Sequence, residues 1–316
     1  MRKILVTGAL GRVGTELVPA LRRRYGADQV VASDTRMMPG ATDGPFEQLD
    51  CTRIEHVQDV VRRQDVGTVY HFAALLSAAA EASPDVAWSV NVGGLRAVLE
   101  AARQNRSAVF LPSSIGAFGP TSPGVGTPQD TTQRPTTLYG ITKVTAELLC
   151  DYHARRFGLD TRGLRLPCLV SLALPEAGGT TDYAVEMFHR ALRHQRYTCR
   201  LEPDTRLDMM YMPDAVAAII GVMEADPARL IHRNAFNVTA MNFTPARLAE
   251  EIRKHIPEFA IDYEVDPGRQ AIADSWPRSI DDSAARAEWD WSPAYDLELM
   301  TRDMLEKLGS QLRAAP

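Results

Sequence analysis

The sequence predicts an α/β fold in which a doubly wound parallel sheet carries a smaller C-terminal α/β cap. Two observations lead to this prediction: short apolar runs alternate with longer amphipathic stretches through the first half of the chain, and this rhythm changes after Leu166. At 316 residues the chain is long enough for two domains. We therefore expect residues 1–166 to form the sheet domain, 208–238 to return to it, and 167–207 with 239–316 to form the cap.

The strands are predicted from short aliphatic or β-branched runs that end at turn residues. Those of the first domain are 3–7, 29–33, 68–72, 108–111 and 161–166. The amphipathic stretches between them predict helices over 12–24, 53–64, 84–104 and 138–157. After a loop over 167–180 we expect a helix over 182–194, then a strand, a helix and a strand at 209–212, 213–224 and 235–238. A sheet of this kind binds ligands beyond the carboxyl ends of its strands.

The composition excludes several classes of protein. Hydrophobic residues make up 45% of the chain and charged residues 24%, which is typical of a globular chain with a packed core. The formal net charge is -5, whereas a nucleic-acid partner requires a basic face. No stretch approaches the ~20 apolar residues that span a bilayer, and the first apolar run is too short for a signal peptide. We expect neither a nucleic acid nor a membrane as a partner.

The cysteines and histidines bear on location and on metal binding. Cys51, Cys150, Cys168 and Cys199 form no C-x-x-C pair, which favours reduced thiols in the cytoplasm over a disulfide framework or a zinc site. The histidines at 189 and 194 do not have the i, i+4 spacing that two metal ligands on one helix face need. We expect no metal site.

A glycine-rich segment, Thr7-Gly8-Ala9-Leu10-Gly11-Arg12-Val13-Gly14, joins the first strand to the first helix. Gly8 suits a tight turn, Gly11 lets the backbone approach a pyrophosphate, and Gly14 lets the helix pack close to the strand. The start of the helix supplies free N–H groups for the phosphates. Glycines that serve only turns are the alternative, but the position between a strand and a helix indicates a Rossmann-type dinucleotide site.

Asp34 ends the second strand, ~20 residues after the last glycine, where an acid binds the ribose hydroxyls of adenosine. A carboxylate there repels a 2′-phosphate and therefore favours NAD. Arg36 is the residue that would favour NADP instead, and an ordinary turn role for Asp34 is the other alternative. Asp50 is a candidate adenine contact, with loop capping as its alternative.

Tyr139 and Lys143 lie four residues apart at the start of a predicted helix, so they share one face. A free tyrosine has a pKa of about 10, and we expect the ammonium of Lys143 and the positive ring of an oxidised nicotinamide to lower it. Ser114 follows a strand and can hydrogen-bond both a substrate oxygen and the phenol. A lone Tyr-x-x-x-Lys is usually structural, but together with the glycine segment and Asp34 it indicates a catalytic set.

Taken in order, these motifs resemble those of the extended short-chain dehydrogenase/reductase family, which includes epimerases, dehydratases and dehydrogenases. The catalytic serine is assigned to Ser114 rather than Ser113 because Ser114-Ile115-Gly116-Ala117-Phe118-Gly119 is similar to the S-x-x-V-Y-G run of the family.

A narrower resemblance is to the short-chain L-threonine 3-dehydrogenases, and it extends over nearly the whole chain. The stretches that carry it are 70–78, 112–115, 178–186, 209–215, 269–277 and 279–283. The chain departs from this pattern at Cys168, where a glycine is expected after Pro167. The departure leaves the local backbone geometry open.

The resemblance implies that L-threonine is oxidised at its 3-hydroxyl to 2-amino-3-oxobutyrate with NAD, with Tyr139 as the general base assisted by Lys143 and Ser114. Asn91 is expected to pack within its helix and to have a role on the cofactor side. The residues that the resemblance places around NAD are Gly8, Leu10, Gly11, Arg12, Val13, Gly14, Asp34, Asp50, Ala73, Ala74, Leu75, Asn91, Tyr139, Lys143 and Leu169.

A small zwitterionic substrate also needs an anchor for its carboxylate. Gly178-Gly179-Thr180-Thr181 precedes a predicted helix and offers N–H and hydroxyl groups, although Thr180 as a simple helix cap is an equal alternative. The resemblance favours binding, with Thr181 as the leading contact together with Ser114 and Tyr139. Ser77 is a second candidate or a plain loop serine, and Trp276 either closes the pocket or packs in the cap.

Two other functions share this fold. A nucleotide-sugar epimerase or dehydratase would use NAD and the same Ser–Tyr–Lys set, but the stretches 178–186 and 269–283 argue against it. A dinucleotide-binding scaffold typically lacks the tyrosine or the lysine, and both are present. The resemblance further implies a homodimer through the helices that carry Asn91 and Tyr139, and a 2-amino-3-oxobutyrate CoA ligase that consumes the product.

Overall fold

Strands and helices alternate through residues 2–37, 43–173 and 179–314, the parts of the chain that the computed structural model describes. The strands are β1 (Lys3–Thr7), β2 (Val30–Asp34), β3 (Phe46–Gln48), β4 (Val66–His71), β5 (Ala108–Ser114), β6 (Thr161–Leu166), β7 (Cys168–Val170), β8 (Tyr197–Cys199), β9 (Leu207–Tyr211), β10 (Phe236–Asn237), β11 (Met241–Phe243) and β12 (Ile261–Tyr263). The helices are α1 (Gly14–Tyr25), α2 (Ile54–Arg63), α3 (Ser77–Ala82), α4 (Pro84–Trp88), α5 (Leu95–Asn105), α6 (Leu138–Phe157), α7 (Tyr183–Leu192), α8 (Met212–Glu224), α9 (Pro245–Arg253), α10 (Pro267–Asp274), α11 (Ser283–Trp289) and α12 (Leu297–Ala314).

Within these ranges seven strands form one parallel sheet in the order β10-β6-β5-β4-β1-β2-β3. The strand order reverses between β1 and β4, whose register pairs Val6 with Tyr70. The connections that leave these two strands diverge to opposite faces of the sheet and open a crevice at its carboxyl edge. The predicted Rossmann-type, doubly wound fold is therefore confirmed.

Apolar side chains cover both faces of the sheet, and β1 shows how they alternate. Ile4 and Val6 lie in the core that also contains the buried faces of α1 and α8. Leu5 lies in the opposite core with α2 and α5. Because successive residues of a strand point to opposite faces, one short apolar run serves two layers of helices.

Helix α6 carries two of the predicted catalytic residues, and local signals determine both of its ends. The side chain of Thr137 accepts a hydrogen bond from Gly140 N at 3.1 Å, which caps the first turn. At the other end Gly158 has a φ of 66° and donates its N–H to Ala154 O at 3.0 Å. Tyr139 is thereby held in the first turn of α6.

The helix expected over 84–104 is interrupted. A π-helical segment, Ser89–Gly94, separates α4 from α5, and the apolar periodicity of the sequence does not reveal it. Such single π turns are frequent at functional sites. Of the helices in the described ranges, none has the length and apolar character to cross a bilayer.

A second layer of structure covers the carboxyl edge of the sheet. A three-stranded sheet, β11-β9-β7, and a two-stranded sheet, β12-β8, enclose a third core with α7, α9 and α12. Within 208–238, β9 pairs with β7 and β10 pairs with β6 of the central sheet, and the division of the chain into domains stays a prediction. Met209 faces the third core and Met210 faces the core of α1 and α8, so this fully buried strand borders both.

Candidate active site

The predicted site residues surround the crevice at the carboxyl edge of the central sheet. Gly8 follows β1, Asp34 ends β2, Ala73 lies beyond β4, and Ser114 ends β5. Parallel strands end at one edge, so segments that are far apart in sequence meet there. Tyr139 joins them from the first turn of α6.

The three glycines of the first loop have different steric surroundings. Gly8 has a φ of 68°, and a Cβ there would lie 2.7 Å from Ala73 N and Phe72 C. A Cβ at Gly14 would lie 2.5 Å from Gly8 O, so the start of α1 packs tightly on the turn. At Gly11 a Cβ would meet Gly8 O at 3.2 Å as its one neighbour within 4 Å. The backbone at Gly11 is therefore less crowded than at Gly8 or Gly14, and its approach to a pyrophosphate stays a prediction.

Arg12 extends from this loop to the strand that leads into the second layer. Its guanidinium donates to Leu169 O at 2.8 Å through Nη2 and to Ser171 Oγ at 3.1 Å through Nε. Burial lowers the pKa of Arg12, and the carboxylate of Asp182 opposes this shift. The contacts place Leu169 beside the glycine loop, and Val13 completes the turn by accepting the N–H of Leu17 at 2.8 Å.

Asp34 faces the same loop from the end of β2. Its carboxylate accepts hydrogen bonds from Leu10 N at 3.2 Å and Arg36 N at 3.1 Å, and its side chain is only 10% exposed. The Nε of Arg36 lies 3.4 Å from Asp34 Oδ1, and its side chain is 63% exposed. The acid thus has a fixed orientation at the position where a ribose diol is bound in this fold, and the largely exposed guanidinium of Arg36 lies beside it and donates to Leu10 O at 3.3 Å.

Asp50 has the local partners of a loop cap. It accepts hydrogen bonds from Thr52 N at 2.9 Å and Thr52 Oγ1 at 2.7 Å. The side-chain hydrogen bond from Thr52 lowers the pKa of Asp50. The capping alternative therefore describes its contacts, and a contact with adenine stays a prediction.

Asn91 of the π-helical segment forms hydrogen bonds with the loop after β4. Asn91 Oδ1 accepts from Leu75 N at 2.8 Å, and its Nδ2 donates to Leu75 O at 3.0 Å and to Thr142 Oγ1 at 3.1 Å. Thr142 Oγ1 in turn donates to Tyr139 O at 2.8 Å. Asn91 therefore shapes the Ala73-Ala74-Leu75 loop and links it to α6, and this is how it can serve the cofactor side.

Ser114 and Tyr139 lie on either side of Gly116. A Cβ at Gly116 would be 3.4 Å from Tyr139 Cε1 and 3.5 Å from Ser114 Oγ. Ser114 Oγ accepts from Gly116 N at 3.1 Å. Burial raises the pKa of Tyr139 to about 12, and a hydrogen bond with the Ser114 side chain opposes that rise. The serine and the phenol are therefore direct neighbours.

Lys143 lies one turn beyond Tyr139, and its Nζ is 5.4 Å from the centre of the phenol ring. The ammonium donates to Pro112 O at 2.7 Å. Burial lowers the pKa of Lys143 to about 8, and the charge of Glu147 opposes this shift. Burial is the largest influence on the pKa of Tyr139, and the lowering expected from Lys143 together with an oxidised nicotinamide stays a prediction.

Ser113 points away from the crevice. Its Oγ donates to the buried carboxylate of Glu147, which also forms an ion pair with Arg165 at 2.8 Å. This explains why Ser114 is the serine beside the phenol. The analysis of the sequence missed Glu147, although its spacing of four residues from Lys143 was a usable signal.

Residues 179–182 lead into α7, and the carboxylate of Asp182 acts on the charge of Arg12 in the glycine loop. Gly179 N donates to Asp182 Oδ2 at 2.6 Å, and Asp182 is the residue that precedes the first helical turn. The alternative in which Thr180 caps this helix is therefore wrong, because the helix starts too late for it. Gly178 lies outside the described residues. Thr181 forms a hydrogen bond with the thiol of Cys168.

Cys168 opens β7 in an extended conformation and pairs with Met209. A strand position accepts any L-residue, so the cysteine fits without the conformational freedom of a glycine. Burial raises the pKa of its thiol to about 12, and the Thr181 hydroxyl opposes this shift. The side chain is therefore a neutral thiol between β7 and the loop before α7.

Ser77 and Trp276 lie at the border of the candidate site. Ser77 is the half-buried first residue of α3, directly after the loop that Asn91 holds. Trp276 packs against the third core just beyond α10. Of the two histidines considered for metal binding, His189 contacts Leu172 O at 3.1 Å and His194 contacts Glu258 at 2.9 Å.

Comparison with known proteins relates this geometry to others. The model of the NAD-dependent epimerase/dehydratase family matches residues 4–238. An uncharacterized epimerase/dehydratase of Staphylococcus saprophyticus is 50% identical over 317 residues, 99% of each chain. The structure is similar to the L-threonine dehydrogenase of Clostridium difficile, with a TM-score of 0.96 and 51% identity over 98% of both chains. It is also similar to the holo form of an L-threonine dehydrogenase from Cupriavidus necator, with a TM-score of 0.94 and 47% identity over 97% of this chain and 99% of that one.

Proposed function

The chain belongs to the NAD-dependent epimerase/dehydratase family, and from this premise we propose that it is an L-threonine 3-dehydrogenase that oxidises the 3-hydroxyl of L-threonine to give 2-amino-3-oxobutyrate. The observation that carries the proposal is the convergence of Ser114, Tyr139 and Lys143 at the crevice of the central sheet. The similarity to two solved threonine dehydrogenases supports the choice of substrate.

NAD is the cofactor, and the residues at the crevice fit it. Gly11 presents a backbone without a Cβ next to the start of α1, whose N–H groups favour a pyrophosphate. Asp34 is oriented by Leu10 and suits a ribose diol, but it would repel a 2′-phosphate. When bound, NAD supplies the hydride acceptor of the oxidation.

Residues of the chain accept the proton of the 3-hydroxyl and orient the substrate oxygen. The phenolic oxygen of Tyr139 accepts the proton of the 3-hydroxyl as the carbon–hydrogen bond at C3 breaks. Ser114 hydrogen-bonds both the phenol and the substrate oxygen, which keeps that oxygen in line with the base. Because burial raises the pKa of Tyr139 to about 12, the base needs positive charge close by. The ammonium of Lys143, 5.4 Å from the ring centre, is the protein's own contribution.

The polar ends of threonine are assigned to the loop before α7. Thr181 is the leading contact for the carboxylate, with Thr180 and Gly179 beside it at a helix N-terminus. We place Ser77 on the opposite side of the crevice and assign Trp276 to closure of the pocket from the cap, residues 167–207 and 239–316. The NAD-binding part of this division is 1–166, with 208–238 returning to it.

A nucleotide-sugar epimerase or dehydratase is the second candidate, and the descriptive names of the family and of the Staphylococcus relative favour it. An epimerase returns the hydride within each turnover and releases no reduced cofactor. Net accumulation of NADH with an amino acid therefore separates the two functions.

The decisive experiment follows NADH absorbance in mixtures of the purified protein, NAD and a panel of amino acids that includes L-threonine, L-serine and D-threonine. We expect steady NADH formation with L-threonine. Tyr139→Phe should lower turnover by about 10²–10⁴-fold while NAD still binds, because general-base catalysis is lost and the cofactor contacts remain. Near-normal turnover in this variant would remove Tyr139 from the mechanism.

We also propose that the protein is a homodimer. Large apolar side chains are exposed along α4 and α6: Val86 at 53%, Trp88 at 46%, Leu148 at 61% and Tyr152 at 54%. An apolar face on adjacent helices is typical of a protein interface. Leu148→Glu should shift the mass in light scattering from dimer to monomer, whereas Ile231→Glu, at an 80% exposed position elsewhere, should not.

The cysteines and the proposed product indicate the cellular setting. The four cysteines are free and buried, which fits the reducing cytoplasm. The product 2-amino-3-oxobutyrate is a β-keto acid, and we propose a 2-amino-3-oxobutyrate CoA ligase as the enzyme that consumes it.

A further inference from the structure

A buried ion pair lies behind Lys143, and the proposed reaction does not use it directly. Glu147 is one helical turn after Lys143 on α6, and Arg165 lies on β6. Their side chains are 4% and 7% exposed, and Arg165 Nη2 lies 2.8 Å from Glu147 Oε2. Desolvation of a buried pair can exceed its Coulomb attraction, so stability alone does not account for it.

Glu147 also accepts a hydrogen bond from Gln133 Nε2 at 3.0 Å, and a further contact connects it to the reactive groups. Ser113 Oγ donates to Glu147 Oε1. Ser113 follows Pro112, whose carbonyl accepts the ammonium of Lys143 at 2.7 Å, and it precedes Ser114. Glu147 and Lys143 therefore hold adjacent residues at the end of β5, next to the serine that contacts the phenol.

We propose that Glu147 is a positioning residue for the dehydrogenase reaction, which holds an acidic charge one helical turn from Lys143 and fixes the end of β5 that carries Ser114. The inference rests on the proposed function, because it assigns a task to a group outside the Ser–Tyr–Lys set. Among the residues that the structure describes, Glu147 forms hydrogen bonds with Ser113, Gln133 and Arg165, and with no residue of 8–14 or 179–182.

The charges around Lys143 support this assignment. Burial lowers the pKa of Lys143 to about 8, and Glu147 raises it. On β4, burial and the charge of Lys143 lower the pKa of His71 to about 3, so this imidazole is neutral. Tyr139 lies on the same helix as Lys143, and Arg165 on β6 partly neutralises Glu147. Glu147 is thus the acid that counteracts burial.

The first test titrates Lys143 directly. The chain has four lysines, at 3, 143, 254 and 307, so lysine labelled with ¹³C at Cε gives a simple NMR spectrum in which Lys143→Arg assigns one signal. Glu147→Gln should lower the midpoint of the Lys143 titration by about 1 pH unit, because loss of a neighbouring opposite charge shifts a pKa by that much. Asp151→Asn removes the same charge one turn further along α6 and should leave the midpoint in place.

The second test compares this midpoint with catalysis. This test uses kcat/KM for L-threonine with NAD as a function of pH. The midpoint of its alkaline limb should move to lower pH by the same interval in Glu147→Gln and return in Glu147→Asp. An unmoved NMR midpoint in Glu147→Gln overturns the proposal, and so does a shifted midpoint with an unmoved alkaline limb. If the unmodified protein forms no NADH with any amino acid, the proposed function fails instead, and the NMR titration distinguishes the two failures.

Two further variants control for an effect of misfolding. Glu147→Gln leaves Arg165 buried without a carboxylate, whereas Glu147→Gln/Arg165→Met removes both charges and is expected to fold. Its Lys143 midpoint should again lie below that of the unmodified protein, because Glu147 is the charge that acts on Lys143. A midpoint equal to that of the unmodified protein overturns the proposal. Arg165→Lys keeps both charges and should lower stability without moving the alkaline limb.

Discussion

Replacement of Gly8 by alanine tests how the crevice is built. Gly8 has a φ of 68°, and this left-handed conformation costs a residue with a Cβ roughly 1–2 kcal/mol. The added Cβ would also lie 2.7 Å from Ala73 N and 2.8 Å from Phe72 O. Such overpacking costs about 1–3 kcal/mol, so the free energy of unfolding should fall by about 2–5 kcal/mol in total. The clash separates the ends of β1 and β4, and NAD affinity should fall with it.

The assay is urea unfolding followed by circular dichroism, together with calorimetric titration of NAD. Gly158→Ala isolates the conformational cost, because its φ is 66° and an added Cβ meets nothing within 4 Å. We expect it to lose about 1–2 kcal/mol. Gly93→Ala has open space and a helical backbone, and should be neutral or stabilising by about 0.5–1 kcal/mol. Equal losses in Gly8→Ala and Gly158→Ala would refute the reasoning about the contact with the end of β4.

Two other substitutions test separate parts of the site, and a third tests Asp208, a buried acid on β9. Asp34→Ala should weaken NAD by about 10-fold or more with little effect on NADP, since a charged hydrogen-bond acceptor is lost; equal Kd changes for both cofactors would contradict this. Asn91→Ala leaves the N–H and C=O of Leu75 without their partner and should cost about 1–3 kcal/mol in urea unfolding and weaken NAD; unchanged NAD affinity would separate Asn91 from the loop. Burial raises the pKa of Asp208 to about 6, so the folded state binds this proton more tightly than the unfolded state does. The resulting gain in the free energy of unfolding is present below about pH 4 and is lost as the pH rises through 6. Asp208→Asn should remove roughly 2–3 kcal/mol of this pH dependence between pH 4 and 7, and an unchanged slope would refute it.

Much of the fold could be predicted because its signals are local. The bounds of β1, β6 and α6 match the prediction, since each apolar run ends at a residue with a specific backbone or capping preference. Thr137 and Gly158 at the two ends of α6 are the clearest examples. The order of glycines in the first loop likewise specified a turn, an open backbone and a close packing contact, and the spacing of Tyr139 and Lys143 specified a shared helix face.

Other features depend on partners that are distant in sequence. A fully buried strand such as β9 has the same residue pattern in any sheet, so only its pairing with β7 and β11 places it. Hydrogen bonds join Asn91 to Leu75 and Glu147 to Ser113, which lie 16 and 34 residues apart in the sequence.

The sequence by itself determined the type of sheet, the order of glycines in the first loop and the shared helix face of Tyr139 and Lys143, because short-range spacing and backbone preference encode them. Only the tertiary structure decided the charge state of that set. Burial, which no local pattern measures, raises the pKa of Tyr139 and lowers that of Lys143. The acid that opposes the second shift reaches Lys143 from within α6, while its own partner Arg165 comes from β6. Desolvation and long-range pairing are properties of the packed chain, and they set the pKa values on which the proposed base depends.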